Sequence, residues 1–407
     1  MHKLNLVVCP FHDWKKCEKE GFRTRDAHLI LEFEKNPLVE KILVVDRPIS
    51  IPEMILKKGW WRTKEGKIIY KSQGICLTQI SEKIFVLDLF SLDILMPLIL
   101  RKKWWYYIFN QPFVIKAIKF AIGYLQFNNF ILFLWNPISS GVIGKLDDKL
   151  LVFDAIDNLL AHPELNYAKK EIDQGYRMIK KEADLIFTVS ESLKSFFESS
   201  RDDVYCIPNG VDVDFFYSFT EMAQDIKNIA HPIIGYAGKI QDRIDVELMG
   251  FLSTCLPDVN FVFIGQVINR KTIKLLLQYE NVHYLGDKHY SLLPQYLSCF
   301  DICIIPHKVS ELTSSMNPLK IYEYLAAGRP VVTTNIAGVD VFRDIITIAK
   351  TKEEFLNGIE RYIQAINQGN DISGKLMKSI TPDHYWSTKA NKMVDLIIQK
   401  MEKKCKL

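Results

Sequence analysis

Lys320 and Glu323 lie one helical turn apart in the segment SELTSSMNPLKIYEYLAAGRPVVTT, residues 310–334, and their types suit a nucleoside diphosphate. Asn317 is a good helix N-cap, and Pro318 fits the first helical position, where a missing N–H costs nothing. The spacing predicts a helix to Ala327, with Gly328 as its left-handed stop. A helix start offers free N–H groups and a positive dipole end to an anion. Lys320, in the first turn, adds a full positive charge. Glu323 falls on the same face; its carboxylate would repel phosphate but accept hydrogen bonds from two ribose hydroxyls. Leu319, Tyr322, Leu325 and Ala326 remain to pack the helix. The alternative is an ordinary amphipathic helix with an exposed Lys/Glu pair. Buried strands expected at 301–306 and 330–334 argue against it, because a strand–loop–helix–strand unit is where α/β folds hold phosphate ligands.

The elements that must position these residues form an alternating pattern of short apolar runs and helical segments, the mark of βαβ units. Strands are expected at 4–9, 41–46, 84–89, 130–135, 150–154, 184–190 and 204–208, and helices at 168–183 and 191–199. The turn PNGVD at 208–212 and the pattern-poor stretch 217–231 mark a domain boundary after residue 212. The second half resumes with strands at 232–238, 260–265, 282–286, 301–306 and 330–334. A helix with a basic tail is expected over 383–404. The expected organisation is thus a first α/β domain over 1–212, a second over 213–382, and a terminal helix within 383–407 that packs back on the first.

Length and composition agree. A chain of 407 residues is too long for one core and fits two α/β domains. A net charge of +4 disfavours a nucleic-acid partner, and no RNA-binding motif is present. The eight cysteines are scattered, with no CxxC pair, so neither a zinc site nor a disulfide framework is indicated. The first residues, MHKLNLVVCPFHDW, lack a signal-peptide apolar region and read as a strand. The apolar stretch 84–100 is interrupted by Asp88 and Asp93, so no membrane span is expected. These features suit a reduced, cytoplasmic protein.

Several motifs occur in order: VSESLKSFF (189–197), IPNGVDVDFF (207–216), IIGYAGKI (233–240), FVFIG (261–265), LPQYLSCFDICIIP (293–306) and NPLKIYEYLAAGRPVVTT. Together they resemble a GT-B glycosyltransferase of the family 4, or group 1, type, and within it the teichuronic-acid and exopolysaccharide subgroup. The resemblance covers most of the chain from about residue 151; the first third matches only in architecture. It implies an α/β fold of two Rossmann-like domains facing across a cleft, and transfer of a hexosyl group from a nucleotide-sugar to a glycan or lipid-linked acceptor in cell-surface polysaccharide synthesis. Lys320 would bind the donor diphosphate and Glu323 the ribose. Ser314, Ser315 and Asn317 would line the phosphate loop, and Lys239 or Arg243, after Gly238, would face the diphosphate. Many members carry a second glutamate eight residues before the one at Glu323; here that position is Ser315. This leaves open whether transfer retains or inverts the anomeric configuration. Such enzymes generally need no metal or other cofactor, and no DxD-like triad stands out. The pairs at Asp147 and Asp202 look like surface turns.

An inverting reaction needs a base to take the acceptor proton. Asp154 and Asp157, in VFDAIDNLL at a strand end, are the candidates; the alternative for Asp157 is a helix cap. His12 and Asp13, with Arg23 and Arg25 nearby, form a second possible site. KKGWWR (57–62) and RKKWWYY (101–107), continued by Lys116 and Lys119, join cations to tryptophan pairs. Trp60, Trp61, Trp104 and Trp105 suit peripheral contact with the inner face of the plasma membrane; buried rings with surface lysines are the alternative. Two further readings are a non-catalytic nucleotide-sugar-binding or scaffold subunit, favoured by Ser315, and a nucleotide-sugar epimerase, whose acid/base set is not found.

Overall fold

The computed structural model describes residues 3–405 except 57, 59, 199, 200 and 218–221, so Lys57, the expected helix end at Ser199 and part of the pattern-poor stretch lie outside the described residues. The chain forms two compact units. The first comprises the described residues of Met1–Ile207 and Ala390–Leu407, and the second Pro208–Lys389.

The first unit contains strands β1 (Leu4–Cys9), β2 (Val39–Val45), β3 (Ile49–Ser50), β4 (Lys67–Ser72), β5 (Ile75–Gln79), β6 (Ile84–Ser91), β7 (Phe130–Leu134), β8 (Leu150–Ala155), β9 (Leu185–Thr188) and β10 (Val204–Cys206). Their order is β10-β9-β8-β7-β1-β2-β6-β5-β4, with β3 beside β6. All pairs are parallel except β4–β5 and β5–β6. The hairpin β4–β5 was not expected from the apolar pattern. KIIYKSQGICLTQ turns at Gln73 and Gly74, both with positive φ, as a two-residue hairpin loop requires. Its first strand is largely exposed, which is why it lacks a core-like signature. The terminal helix Trp386–Cys405 buries Ala390, Met393, Val394 and Ile397, a stripe at helical spacing. Within the unit its Lys400 pairs with Asp203 at 2.7 Å and its Lys404 with Asp184 at 2.9 Å.

The second unit is a six-stranded parallel sheet of β11 (Ile233–Ala237), β12 (Asn260–Ile264), β13 (Val282–Tyr284), β14 (Ile302–Ile305), β15 (Val331–Thr334) and β16 (Thr347–Ala349). Its order is β13-β12-β11-β14-β15-β16. Counted from β11, this is 3-2-1-4-5-6, the order of doubly wound nucleotide-binding sheets. Alternation along each strand builds a core on both faces. Ile233, Ala237, Val262, Ile264, Cys303 and Ile305 pack on one side. Ile234, Tyr236, Phe261, Phe263, Ile302 and Ile304 pack on the other. Each valine, isoleucine or phenylalanine among them contributes about 1.5–3 kcal/mol on full burial. The strand order reverses between β11 and β14, so the carboxyl ends of those two strands are where the topology opens the sheet to a ligand.

Candidate active site

At that switch point β11 runs into Gly238 and β14 into Pro306 and His307. The helix Leu319–Ala326 approaches from the following crossover. Tyr324 fixes its height: Tyr324 Oη accepts the Ala237 N–H at 2.8 Å. One turn earlier, Lys320 then reaches over the β11 turn. Its Nζ donates to Tyr236 Oη at 2.8 Å and lies 4.0 Å from the centre of the same ring. Gly238 permits this approach. Its φ is +149°, and a Cβ there would stand 2.7 Å from Lys320 Nζ.

His307, buried, completes the cluster, with Nε2 at 3.3 Å from Tyr236 Oη. Tyr236 Oη also donates to the Lys239 carbonyl at 3.1 Å. With its one proton given to Lys239, the phenol must accept from His307, which puts the imidazole proton on Nε2. Nδ1 is then a buried acceptor, with no partner among the described residues. Burial, with help from Lys320 and Arg243, presses the His307 pKa well below the usual range, so the ring is neutral. Burial lifts the Tyr236 phenol to about 12 against the pull of Arg243, so it is neutral too.

The charges left are positive. Lys320 is half-buried, and its ammonium donates to a neutral phenol. Arg243, also half-buried, turns one Nη to the Met316 sulfur at 3.4 Å. Burial first, then Arg243, holds the Lys320 ammonium well below the ordinary lysine range, while Glu323 pulls the other way. An anion at this point would relieve that strain. Glu323 itself is buried and accepts the Tyr290 hydroxyl at 2.9 Å. Tyr290 is stacked on Phe215 with centroids 5.1 Å apart. Burial and the carboxylate raise the Tyr290 phenol well above its usual value, so it stays a donor.

The phosphate-loop residues divide. Ser314 is exposed, and its N–H closes a turn on the Ser310 carbonyl at 2.9 Å. Ser315 is buried and its hydroxyl donates to the Leu312 carbonyl at 3.0 Å. Asn317 does not cap the helix as expected: Pro318 occupies the cap position without a side-chain bond. The Asn317 amide is instead engaged by the Asn209 N–H at 2.8 Å and by Tyr322 Oη at 3.2 Å, which ties the loop to the start of the unit. The helix end follows the expected pattern, since Gly328 has φ +67° and the Arg329 N–H returns to the Tyr324 carbonyl at 2.9 Å.

In the first unit, Asp154 corrects the sequence reading. It ends β8 fully buried, receiving Arg25 Nε at 2.8 Å, Arg25 Nη2 at 3.0 Å and Trp135 Nε1 at 2.7 Å. A carboxylate with three donors and no exposure is a structural ion-pair partner, not a base that meets an acceptor hydroxyl. Asp157, two residues past β8, is half-buried in a turn whose backbone is held by Tyr176: the Asp157 carbonyl accepts Tyr176 Oη at 3.2 Å. Asp26, next to Arg25, was not singled out in the sequence. It accepts the His12 N–H at 2.7 Å and faces His12 Nδ1 at 3.2 Å. Burial would raise the Asp26 carboxyl, but His12 and hydrogen bonds from His12 and Thr24 hold it below the usual range. Nδ1 of His12 is thus the protonated nitrogen and Nε2 the basic one. Asp13 instead accepts the Arg47 N–H at 3.0 Å, and Arg23 pairs with Glu20 at 3.0 Å.

Of Trp60, Trp61, Trp104 and Trp105, Trp104 differs from the expected surface position. Trp104 is 2% exposed and belongs to the core. Trp105 is half-buried, with the Arg47 guanidinium 4.4 Å from its ring centre. Trp60 and Trp61 are half-buried as well, Trp61 against Phe90. Among the described residues, no helix is long and apolar enough to cross a membrane, and no group of three His, Cys, Asp or Glu could hold a metal ion.

Residues 231–365 match the family model "Glycosyl transferases group 1". A teichuronic acid biosynthesis glycosyltransferase of Bacillus subtilis (strain 168), TuaH, is 28% identical over 179 residues, 42% of this chain. The match spans 45% of that protein's length. Among solved structures, Anabaena Alr3699/HepE in complex with UDP and glucose superposes with a TM-score of 0.64 at 14% identity, covering 97% of this chain and 99% of that one. Sucrose-phosphate synthase from Thermosynechococcus elongatus gives 0.69 at 13% identity, covering 98% and 99%. The chain has the GT-B fold of two Rossmann-like domains, and its residues 231–365 are similar to the glycosyl transferases group 1 family.

Proposed function

We propose that this chain transfers a hexosyl group from a nucleoside-diphosphate sugar to a hydroxyl of a glycan or lipid-linked acceptor, with no metal or other cofactor, in the cytoplasm at the inner face of the membrane. The observation that carries the donor half is the pair of half-buried cations, Lys320 and Arg243, at the switch point of the second unit, donating to a neutral phenol and a thioether. A diphosphate supplies the missing negative charge. Lys239 and the Gly238 turn stand beside it, and Glu323, steadied by Tyr290, takes the ribose hydroxyls. HepE was solved with UDP and glucose, which makes UDP the first nucleotide to try.

In the transfer, the bond from the anomeric carbon to the diphosphate oxygen breaks as the acceptor oxygen bonds to that carbon. Charge grows on the leaving diphosphate, and Lys320 and Arg243 stabilise it in place. For the acceptor proton we favour His12 over Asp157, because Asp26 fixes its tautomer and can stabilise the imidazolium. That role belongs to an inverting reaction.

Ser315, where relatives of this type often carry a glutamate, supports a second reading as a nucleotide-sugar-binding subunit without turnover. Release of nucleoside diphosphate separates the two. The protein is incubated with UDP-, GDP- and ADP-linked sugars and a polysaccharide or lipid-linked acceptor. Acceptor-dependent release from one donor supports transfer. Donor binding with no release across the panel supports the subunit reading, and no donor binding at all overturns the site.

A further inference from the structure

Besides the tryptophans, the first unit exposes a run of large apolar side chains. Leu92, Ile94, Leu95, Met96, Leu98 and Ile99 are all exposed, Leu92 by 76% and Ile99 by 71%. Ile55 and Leu56 are exposed by 69% and 82%. The two groups are neighbours by topology. β3 pairs in parallel with β6, Ile49 opposite Phe90 and Ser50 opposite Ser91. The short helix Ile51–Leu56 therefore leaves the sheet edge beside the segment that follows β6 and leads into the helix Leu95–Leu100. Eight large aliphatic or thioether side chains in two adjacent segments exceed the scattered exposure that a water-facing surface normally shows.

The charges bordering this patch are basic, and the acid inside the second segment, Asp93, is half-buried and accepts the Met96 N–H at 3.1 Å. Lys58 follows Leu56, and Arg101 and Lys102 follow Leu100, all three exposed. The nearest acid in the first segment, Glu53, is taken up by Arg47 at 3.1 Å. A six-residue apolar helix is too short to span a bilayer, yet aliphatic side chains with cations at their border are what an interfacial contact needs.

We propose that the segments 51–56 and 92–100 insert their exposed aliphatic side chains into a bilayer surface, and that Lys58, Arg101 and Lys102 meet its anionic headgroups. This deepens the membrane part of the proposed function, and its test does not depend on transfer chemistry. The full chain is sedimented with vesicles of phosphatidylcholine alone or mixed equally with phosphatidylglycerol, at low and high salt. The wild type should pellet with the mixed vesicles, less so at high salt. The double variant Leu98→Glu/Ile99→Glu should lower the bound fraction at least tenfold, and Arg101→Glu/Lys102→Glu should remove the preference for phosphatidylglycerol. Val341→Glu, on an exposed apolar residue of the second unit, should change nothing. Thermal melting of each variant checks that it is folded.

Equal pelleting of wild type and Leu98→Glu/Ile99→Glu overturns the proposal, as does failure of the wild type to bind either vesicle. A wild-type dimer in gel filtration that becomes monomeric in Leu98→Glu/Ile99→Glu would instead assign the patch to a second copy of the chain, and also overturns it. UDP binding measured on the same samples keeps a failure here distinct from a failure of the donor site.

Discussion

Lys320 and Tyr236 meet in two ways at once: the ammonium donates to the phenol oxygen at 2.8 Å and sits 4.0 Å from the ring centre. The phenol holds the cation in place without neutralising it. Tyr236→Phe removes the hydroxyl and keeps the ring. We expect donor affinity to fall by roughly tenfold, the value of one hydrogen bond to a charged group, and the melting temperature to fall as well, because the buried His307 Nε2–H loses its acceptor. Isothermal titration with UDP reads the loss. Unchanged affinity would mean that the phenol does not position the lysine.

Donor binding should depend on pH with a definite sign. The Lys320 pKa is depressed by burial and by Arg243, with Glu323 opposing. A bound diphosphate favours the charged form, so binding takes up a proton where free Lys320 is partly neutral. Affinity should be highest at lower pH and fall as pH rises through the depressed pKa, earlier than an ordinary lysine would allow. Without ligand the unfolded chain binds the extra proton, so this group's contribution to stability rises with pH over the same interval. Titrations in two buffers of different ionisation enthalpy would detect the proton uptake, and Lys320→Arg should abolish it.

Gly238→Ala tests the close approach at the β11 turn. The left-handed backbone and a Cβ at 2.7 Å from Lys320 Nζ both oppose the substitution. We expect a loss of about 1–3 kcal/mol in stability from the strained backbone, together with weaker UDP binding because the lysine must move. Denaturant melts and titration measure the two effects separately.

Asp154 should behave as a structural residue. Asp154→Asn leaves Arg25 buried without its charge partner, which should cost roughly 3–5 kcal/mol, seen as a lower urea midpoint. Asp157→Asn, at a half-buried turn position, should leave the midpoint nearly unchanged. A stable Asp154→Asn protein that has lost only turnover would return Asp154 to the role of base.

For His12, the expected signature is kinetic. His12→Gln should lower kcat by about 10²–10⁴-fold, the range for loss of a general base, with UDP affinity retained. Asp26→Asn should lower kcat less and shift the acid limb of the pH–rate profile. Full turnover in His12→Gln would exclude the residue from proton transfer and favour a mechanism that does not use this base.

The strands that carry the sites were legible because each is a short apolar run buried on both faces, as in FILFLW and DICIIP. The hairpin β4–β5 was not, because Lys67 and Ile68 are exposed at the sheet edge and leave a weak apolar pattern. Lys320 and Glu323 could be singled out together because their spacing and the flanking strands all lie within one segment. Tyr236 and His307 could not, although they sit inside or beside quoted motifs, because their meeting with Lys320 depends on β11 and β14 being neighbours across a long stretch of chain. Asp26 and Arg25 show a related limit: adjacent in sequence, they serve His12 and Asp154 respectively, and only the sheet order brings Asp154 to Arg25. Trp104 misled for a different reason. Adjacent aromatic and basic residues say nothing about which ring turns inward, and Trp104 does.

Titration of UDP into wild type and Lys320→Ala, at matched pH and salt, tests the donor site most directly. We predict saturable binding by the wild type and a loss of about 10–100-fold in the variant, equivalent to roughly 1.5–3 kcal/mol for a charged hydrogen bond, with the fold intact by circular dichroism. Equal affinity in the two proteins would contradict the assignment of the β11–β14 switch point as the diphosphate site.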